Sequence, residues 1–144
     1  MINRLLNLFR IPDDTSDHME PALAAAALMF EVVWADHDIG EAEISTMSAA
    51  LRELFDLNAE RLSQIVEQTR KDHEHSVGLY EFTRAINEQI DEQGKFEIMV
   101  ALWQIALADK QIDRFEEHMI RRVAELLYVP HERFIEAKLT ARNH

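Results

Sequence analysis

The sequence predicts an all-α fold: a compact bundle of about seven helices with two pseudo-symmetric helix–acidic turn–helix repeats. Three observations lead there. Glycine and proline number only 3 each in 144 residues, and a chain so poor in turn formers favours long helices with short connections over an all-β fold. Apolar residues recur at helical spacing in one segment after another. Two stretches, aligned by setting Asp36 against Asp109, share a turn and both flanking apolar stripes. With 47% hydrophobic and 29% charged residues, the composition is that of a globular protein of one domain, with enough apolar mass for a real core.

The elements follow in order. Residues 1–17 read as a short amphipathic helix and a linker, and residues 18–144 as the helical domain. Ile2, Leu5, Leu6 and Phe9 fall at i, i+3, i+4 and i+7, and Arg4 and Arg10 give this segment positive charge. It is expected either to pack on its own domain or to make a weak contact with a membrane surface or partner through residues 1–10. Pro12 to Asp17 is a run of proline and polar turn formers. The first body helix is expected over Met19–Ala35, with Leu23, Ala27, Phe30 and Trp34 on one stripe. The second runs Glu41–Phe55, with Ile44, Met47, Leu51, Leu54 and Phe55 inward. Asn58 is a good N-cap for the third, whose stripe is Leu62, Ile65, Val66 and Thr69 and which the polar run of residues 70–76 ends. The fourth carries Leu79, Phe82, Ile86 and Ile90. The fifth, Gln93–Ala108, is the most apolar. The sixth covers Asp113–Leu127, and the last follows Pro130, read as a first-turn proline.

At the offset of 73 residues, Ala35 meets Ala108, Ile39 meets Ile112 and Glu43 meets Glu116. Met47 then meets Ile120, Ala50 meets Val123, Leu54 meets Leu127 and Phe55 meets Tyr128. Upstream, Leu23 meets Phe96, Met29 meets Leu102 and Phe30 meets Trp103. The shared pattern is an apolar helix, Ala-Asp-x-x-Ile-x-x-x-Glu, and a second apolar helix. Neither hairpin can bury its stripe alone. The two are expected to face one another, with the third and fourth helices completing the bundle.

The acidic turns admit two readings. Asp113 with Glu116 is a capping-box pair, Gly40 with Glu43 a weaker one, and Ile39 and Ile112 serve as hydrophobic staples. The capping boxes leave Asp36 and Asp109 unexplained, since each sits at the C-terminal end of a helix, where the dipole disfavours a carboxylate; they are expected either to accept hydrogen bonds from the start of the next helix or to help bind a cation. Hard oxygen ligands in a short loop suit Ca²⁺ or Mg²⁺. The first turn, with Asp36, Asp38, Glu41 and Glu43 and no Lys or Arg, is the better candidate, and His37 would add a nitrogen ligand. Lys110 and Arg114 offset the charge of the second turn. The loop is not an EF-hand: Gly40 stands fifth from Asp36, where that motif needs an acid.

Charge and composition exclude other chemistry. The net charge is −12 and no Lys/Arg block supplies the basic face that nucleic acid requires, so no nucleic-acid binding is expected. Without cysteine there is no disulfide, thiolate zinc site or cysteine nucleophile. No phosphate loop, nucleophile elbow or zinc-protease motif occurs. His73 and His75 stand two apart and diverge on a helix, His118 reads as a surface residue, and Trp34 and Trp103 read as core. No signal-peptide pattern or spanning segment is present.

An apolar helix ending in Ala-Asp, followed by Ile and Glu in the turn and repeated once, resembles the TerB-like family over about Ala22 to Leu139. That family includes the bacterial tellurite resistance protein TerB and a domain of a membrane-anchored DnaJ-type co-chaperone. The resemblance implies a helical bundle with pseudo-two-fold repeats, an acidic cluster that binds divalent metal, and association with stress responses and membrane-linked assemblies. By position it carries the metal role to Asp36, Asp38 and Glu43 in the first turn and to Asp109, Asp113 and Glu116 in the second. Gln111 stands opposite Asp38 and Gly40 opposite Asp113, so each turn lacks one acid that the other has. The resulting expectation is a non-catalytic domain, cytoplasmic or membrane-peripheral, that binds a divalent cation, Ca²⁺ or Mg²⁺ favoured, and serves protein assembly or stress response through a protein partner. Two alternatives stand beside it: a metal-independent acidic interaction module, and a metal-dependent hydrolase.

Overall fold

The computed structural model describes residues 19–35, 40–73, 79–108 and 112–143. The amphipathic segment expected within residues 1–10 lies outside them. The described residues form seven helices and no strand: α1 (Pro21–Trp34), α2 (Glu41–Phe55), α3 (Ala59–Asp72), α4 (Leu79–Gln89), α5 (Glu92–Leu107), α6 (Arg114–Leu126) and α7 (His131–Arg142).

α1 and α5 touch one another and form the centre. Pro21 opens α1, where its fixed φ suits the first turn and its missing N–H costs nothing. An alanine-rich stretch of high helix propensity follows. Nine of its residues, from Ala22 to Val33, are buried, so apolar side chains surround it rather than form one stripe, as expected of a helix inside a bundle. In α5, Ile98, Met99, Leu102, Trp103 and Ile105 are buried in the same way.

The correspondence at offset 73 extends to the geometry. α1 ends at Trp34 and α5 at Leu107; α2 begins at Glu41 and α6 at Arg114. From Ala25 to Trp34 the sequence of buried and half-buried positions is the same as from Ile98 to Leu107, and residues 40–47 match 113–120 likewise. Packing follows the same rule. α1 packs on α2 and α3, as α5 does on α6 and α7; α2 packs across onto α5, as α6 does onto α1.

This relation includes the third helix, which the sequence did not show. After α2 and α6 the offset slips to 72. Asp56 and Tyr128, at the ends of these helices, have φ of 50° and 59°. Asn58 and Pro130 are the N-caps of α3 and α7. Tyr128 therefore stands opposite Asp56 rather than Phe55, and Pro130 is an N-cap rather than a first-turn residue. The bundle is two three-helix units, with α4 as the element that has no counterpart.

α4 packs on α1 and α6, and its polar side chains close helix ends. Asn87 Nδ2 donates to the Leu126 carbonyl at 3.0 Å and Gln89 Nε2 to the Met19 carbonyl at 2.8 Å. From α5, Lys95 Nζ donates to the Leu127 carbonyl at 3.2 Å. The carbonyls at the end of α6, which have no partner within their own helix, are thus satisfied by neighbours. Arg61 of α3 pairs with Glu20 before α1. No helix among the described residues is long and apolar enough to cross a membrane.

Candidate metal centre

The two turns place one glutamate each inside the bundle. Glu43 is the third residue of α2 and Glu116 the third of α6. The amide of Gly40 donates to Glu43 Oε1 at 3.3 Å, and the amide of Asp113 donates to Glu116 Oε1 at 3.2 Å. Both carboxylates thereby satisfy a helix-start N–H that has no acceptor within the helix, and both lie at the positive end of the helix dipole. Asp113 completes the box: the amide of Phe115 donates to its Oδ1 at 2.6 Å. Gly40 has no side chain to do so, although its backbone (φ −90°, ψ 148°) resembles that of Asp113 (φ −74°, ψ 145°).

Capping accounts for one oxygen of each glutamate and not for their burial. A third-position glutamate on a surface helix keeps its outer oxygen in water. Here Glu43 is 2% exposed and Glu116 is 0% exposed, because α2 and α6 each lie across both central helices. Oε2 of Glu43 is buried and has no hydrogen-bond partner among the described residues. Leaving such an oxygen without a partner costs roughly 1–3 kcal/mol or more when it is charged. A cation reaching it would supply the missing interaction, and a carboxylate oxygen is the donor that hard divalent ions take. Glu43 Oε2 is thus one oxygen of the kind such an ion takes, and a site would need further donors beside it.

Of the six carboxylates expected to bind metal, the structure describes Glu43, Asp113 and Glu116. Asp36, Asp38 and Asp109 lie outside the described residues, as does His37. Among the described residues no three His, Asp or Glu side chains converge as a ligand group, so these three carboxylates do not assemble a site by themselves. Glu41 and Arg114 are exposed, and Glu117 is engaged by Arg121 at 3.7 Å.

One polar cluster was not foreseen. His73, at the end of α3, places Nδ1 3.2 Å from Glu31 Oε2 on α1. Its ring meets Phe30 and Trp34 edge-on, at 5.0 Å and 5.3 Å between centroids. The polar run that suggested the end of α3 gave no sign that His73 turns back to α1, because the contact joins residues far apart in the chain.

A family model described as tellurite resistance protein TerB matches residues 22–139 of the chain. No curated protein matches it, and no solved structure does.

Proposed function

The chain belongs to the family of the tellurite resistance protein TerB, and from that footing we propose that it is a non-catalytic domain that binds a divalent cation at its acidic turns and uses the ion to fix the hairpins in a form presented to a protein partner. The observation that carries this reading is Glu43. Its carboxylate is buried, one oxygen holds the start of α2, and the other lacks a partner among the described residues. The four residues between Ala35 and Gly40 include Asp36 and Asp38, so the sequence offers two further carboxylates within seven residues of Glu43. Ca²⁺ or Mg²⁺ fits an all-oxygen set of this kind. A cation that neutralises the cluster would offset both the buried charge and the repulsion among its acids. Enclosure of Glu43 by packed helices supports a structural role, since water activation requires an open coordination position.

The test is a titration of metal-free protein with Ca²⁺, Mg²⁺, Mn²⁺ and Zn²⁺, followed by backbone amide shifts. The expected result is saturable shifts centred on residues 36–43 and 109–116 that disappear in an Asp36→Asn, Asp109→Asn variant. Absence of shifts at millimolar ion would overturn the metal reading and leave the acids as caps and surface charge.

A further inference from the structure

The relation between the two three-helix units has one exception, and it leaves a groove. α4 rests on α1 and α6. Exchange of the units turns that pair of helices into α5 and α2. There, where a counterpart of α4 would rest, the surface is an open groove of about 380 Å³ lined by Ala50, Leu54, Phe96 and Val100, with Glu53 and Glu97 as its acids. The correspondence is residue by residue. Leu23 and Ala27, which lie beside Phe82 of α4, are the counterparts of Phe96 and Val100. The two sides also differ in burial at the facing helix. Val123 and Leu127 are fully buried, whereas their counterparts Ala50 and Leu54 stay half-exposed in the groove.

We propose that this groove is the docking site of the chain's own N-terminal segment, residues 2–9, in the place that corresponds to α4. Two features select this occupant. The first is spacing: Leu79, Phe82 and Ile86 of α4 fall at i, i+3 and i+7, and Ile2, Leu5 and Phe9 repeat that spacing, which suits an apolar helix face laid into a groove. The second is charge: residues 1–10 contain Arg4 and Arg10 and no acid, while Glu53 and Glu97 are exposed and neither forms an ion pair among the described residues. Docking buries the half-exposed apolar floor of Ala50 and Leu54.

The chain lacks cysteine, so a single nitroxide can be placed on the full-length protein through Gln93→Cys, an exposed position one turn from Glu97. Amide signals of residues 2–9 are expected to broaden with the label oxidised and to recover in a Leu5→Asp, Phe9→Asp variant. They should stay sharp when label and isotope are on different molecules. Absence of broadening in the full chain overturns the proposal, whether or not the segment then binds anionic vesicles. Broadening confined to the mixed sample assigns the groove to a second molecule and also overturns it. Broadening that persists in the double-aspartate variant shows proximity without the apolar contact and does the same. The experiment needs no metal, so its outcome is independent of the cation titration.

Discussion

Glu43 and Glu116 perform the same act in two places: each turns Oε1 back to the amide three residues before it, at 3.3 Å and 3.2 Å, from a side chain enclosed by the bundle. The two differ at the residue that donates. Asp113 adds a carboxylate to its turn and Gly40 adds nothing.

The first prediction concerns Glu43→Gln. Glutamine keeps an oxygen to accept from Gly40 and removes the buried negative charge. The Nε2 amide that takes the place of Oε2 still lacks a partner, so the gain is the smaller cost of burying a neutral group than a charged one, and in chelator the variant is expected to be more stable than the parent by about 1 kcal/mol. With divalent ion the order reverses, since the parent alone gains from binding, by about 2.7 kcal/mol at 100 times the dissociation constant. Thermal melts with chelator and with ion give both numbers. An equal gain for parent and variant would remove Glu43 from the ligand set.

The second prediction concerns Gly40→Asp. A Cβ there meets nothing closer than Glu43 Oε1 at 3.4 Å, an ordinary contact, and the backbone already has the conformation in which Asp113 caps α6. Aspartate in place of glycine at an N-cap is worth a few tenths of a kcal/mol. The larger effect is expected on the ion: a further carboxylate at the first turn should tighten cation binding, read as a lower midpoint in the amide titration. Unchanged affinity would show that the ion, if bound, is not held at this turn.

How much of this was legible in the sequence depends on what each position required. The hairpins were legible because a common turn and similar apolar side chains recur at one offset, so α2 begins at Glu41 and ends at Phe55 as the stripe of Met47, Leu51 and Leu54 indicated. The likeness of α3 and α7 was not, for two physical reasons. The offset slips by one residue at Asp56 and Tyr128, and large side chains on one helix face small ones on the other: Ile65 and Thr69 stand opposite Ala137 and Ala141, all four buried. At the turns, Glu43 and Glu116 could be read as caps or ligands from spacing alone. Their burial could not, because it comes from α2 crossing α5 and α6 crossing α1, and a third-position glutamate has the same sequence signature whether or not another helix covers it.

The third prediction concerns the two left-handed residues. Asp56 and Tyr128 hold positive φ without being glycine, and the left-handed region costs an L-residue about 1–2 kcal/mol. Glycine removes that cost and suits the end of a helix. Asp56→Gly also takes a negative charge off the negative end of α2, so it is expected to stabilise by about 1 kcal/mol. Tyr128→Gly is expected to stabilise by a similar amount because the ring is 79% exposed and gives up little packing. Denaturant midpoints at constant m-value measure both. A loss of stability at Tyr128 would mean that the ring contributes packing its exposure does not show.

The fourth prediction is Gly94→Ala, where two effects oppose one another. Alanine is the better helix former by about 0.5–1 kcal/mol, and Gly94 is the third residue of α5. A Cβ at this position, however, runs into Ile90 Cγ2 and comes within 3.3 Å of Asp91 Oδ1, the atom that accepts from the Gly94 amide to cap the helix. Cγ2 is bonded directly to a β-branched carbon of restricted χ1, and Ile90 is packed against the core, so the methyl cannot swing away without loss. The clash is expected to win, and the single variant to lose about 1–3 kcal/mol, the usual cost of forcing an extra methyl into a packed place. Ile90→Ala removes the obstructing methyl and in that background Gly94→Ala should stabilise, so a double-mutant cycle is expected to show a favourable coupling of more than 1 kcal/mol. Additive effects would place the cost of the single variant in the Asp91 cap instead, and Asp91→Ala would then absorb it.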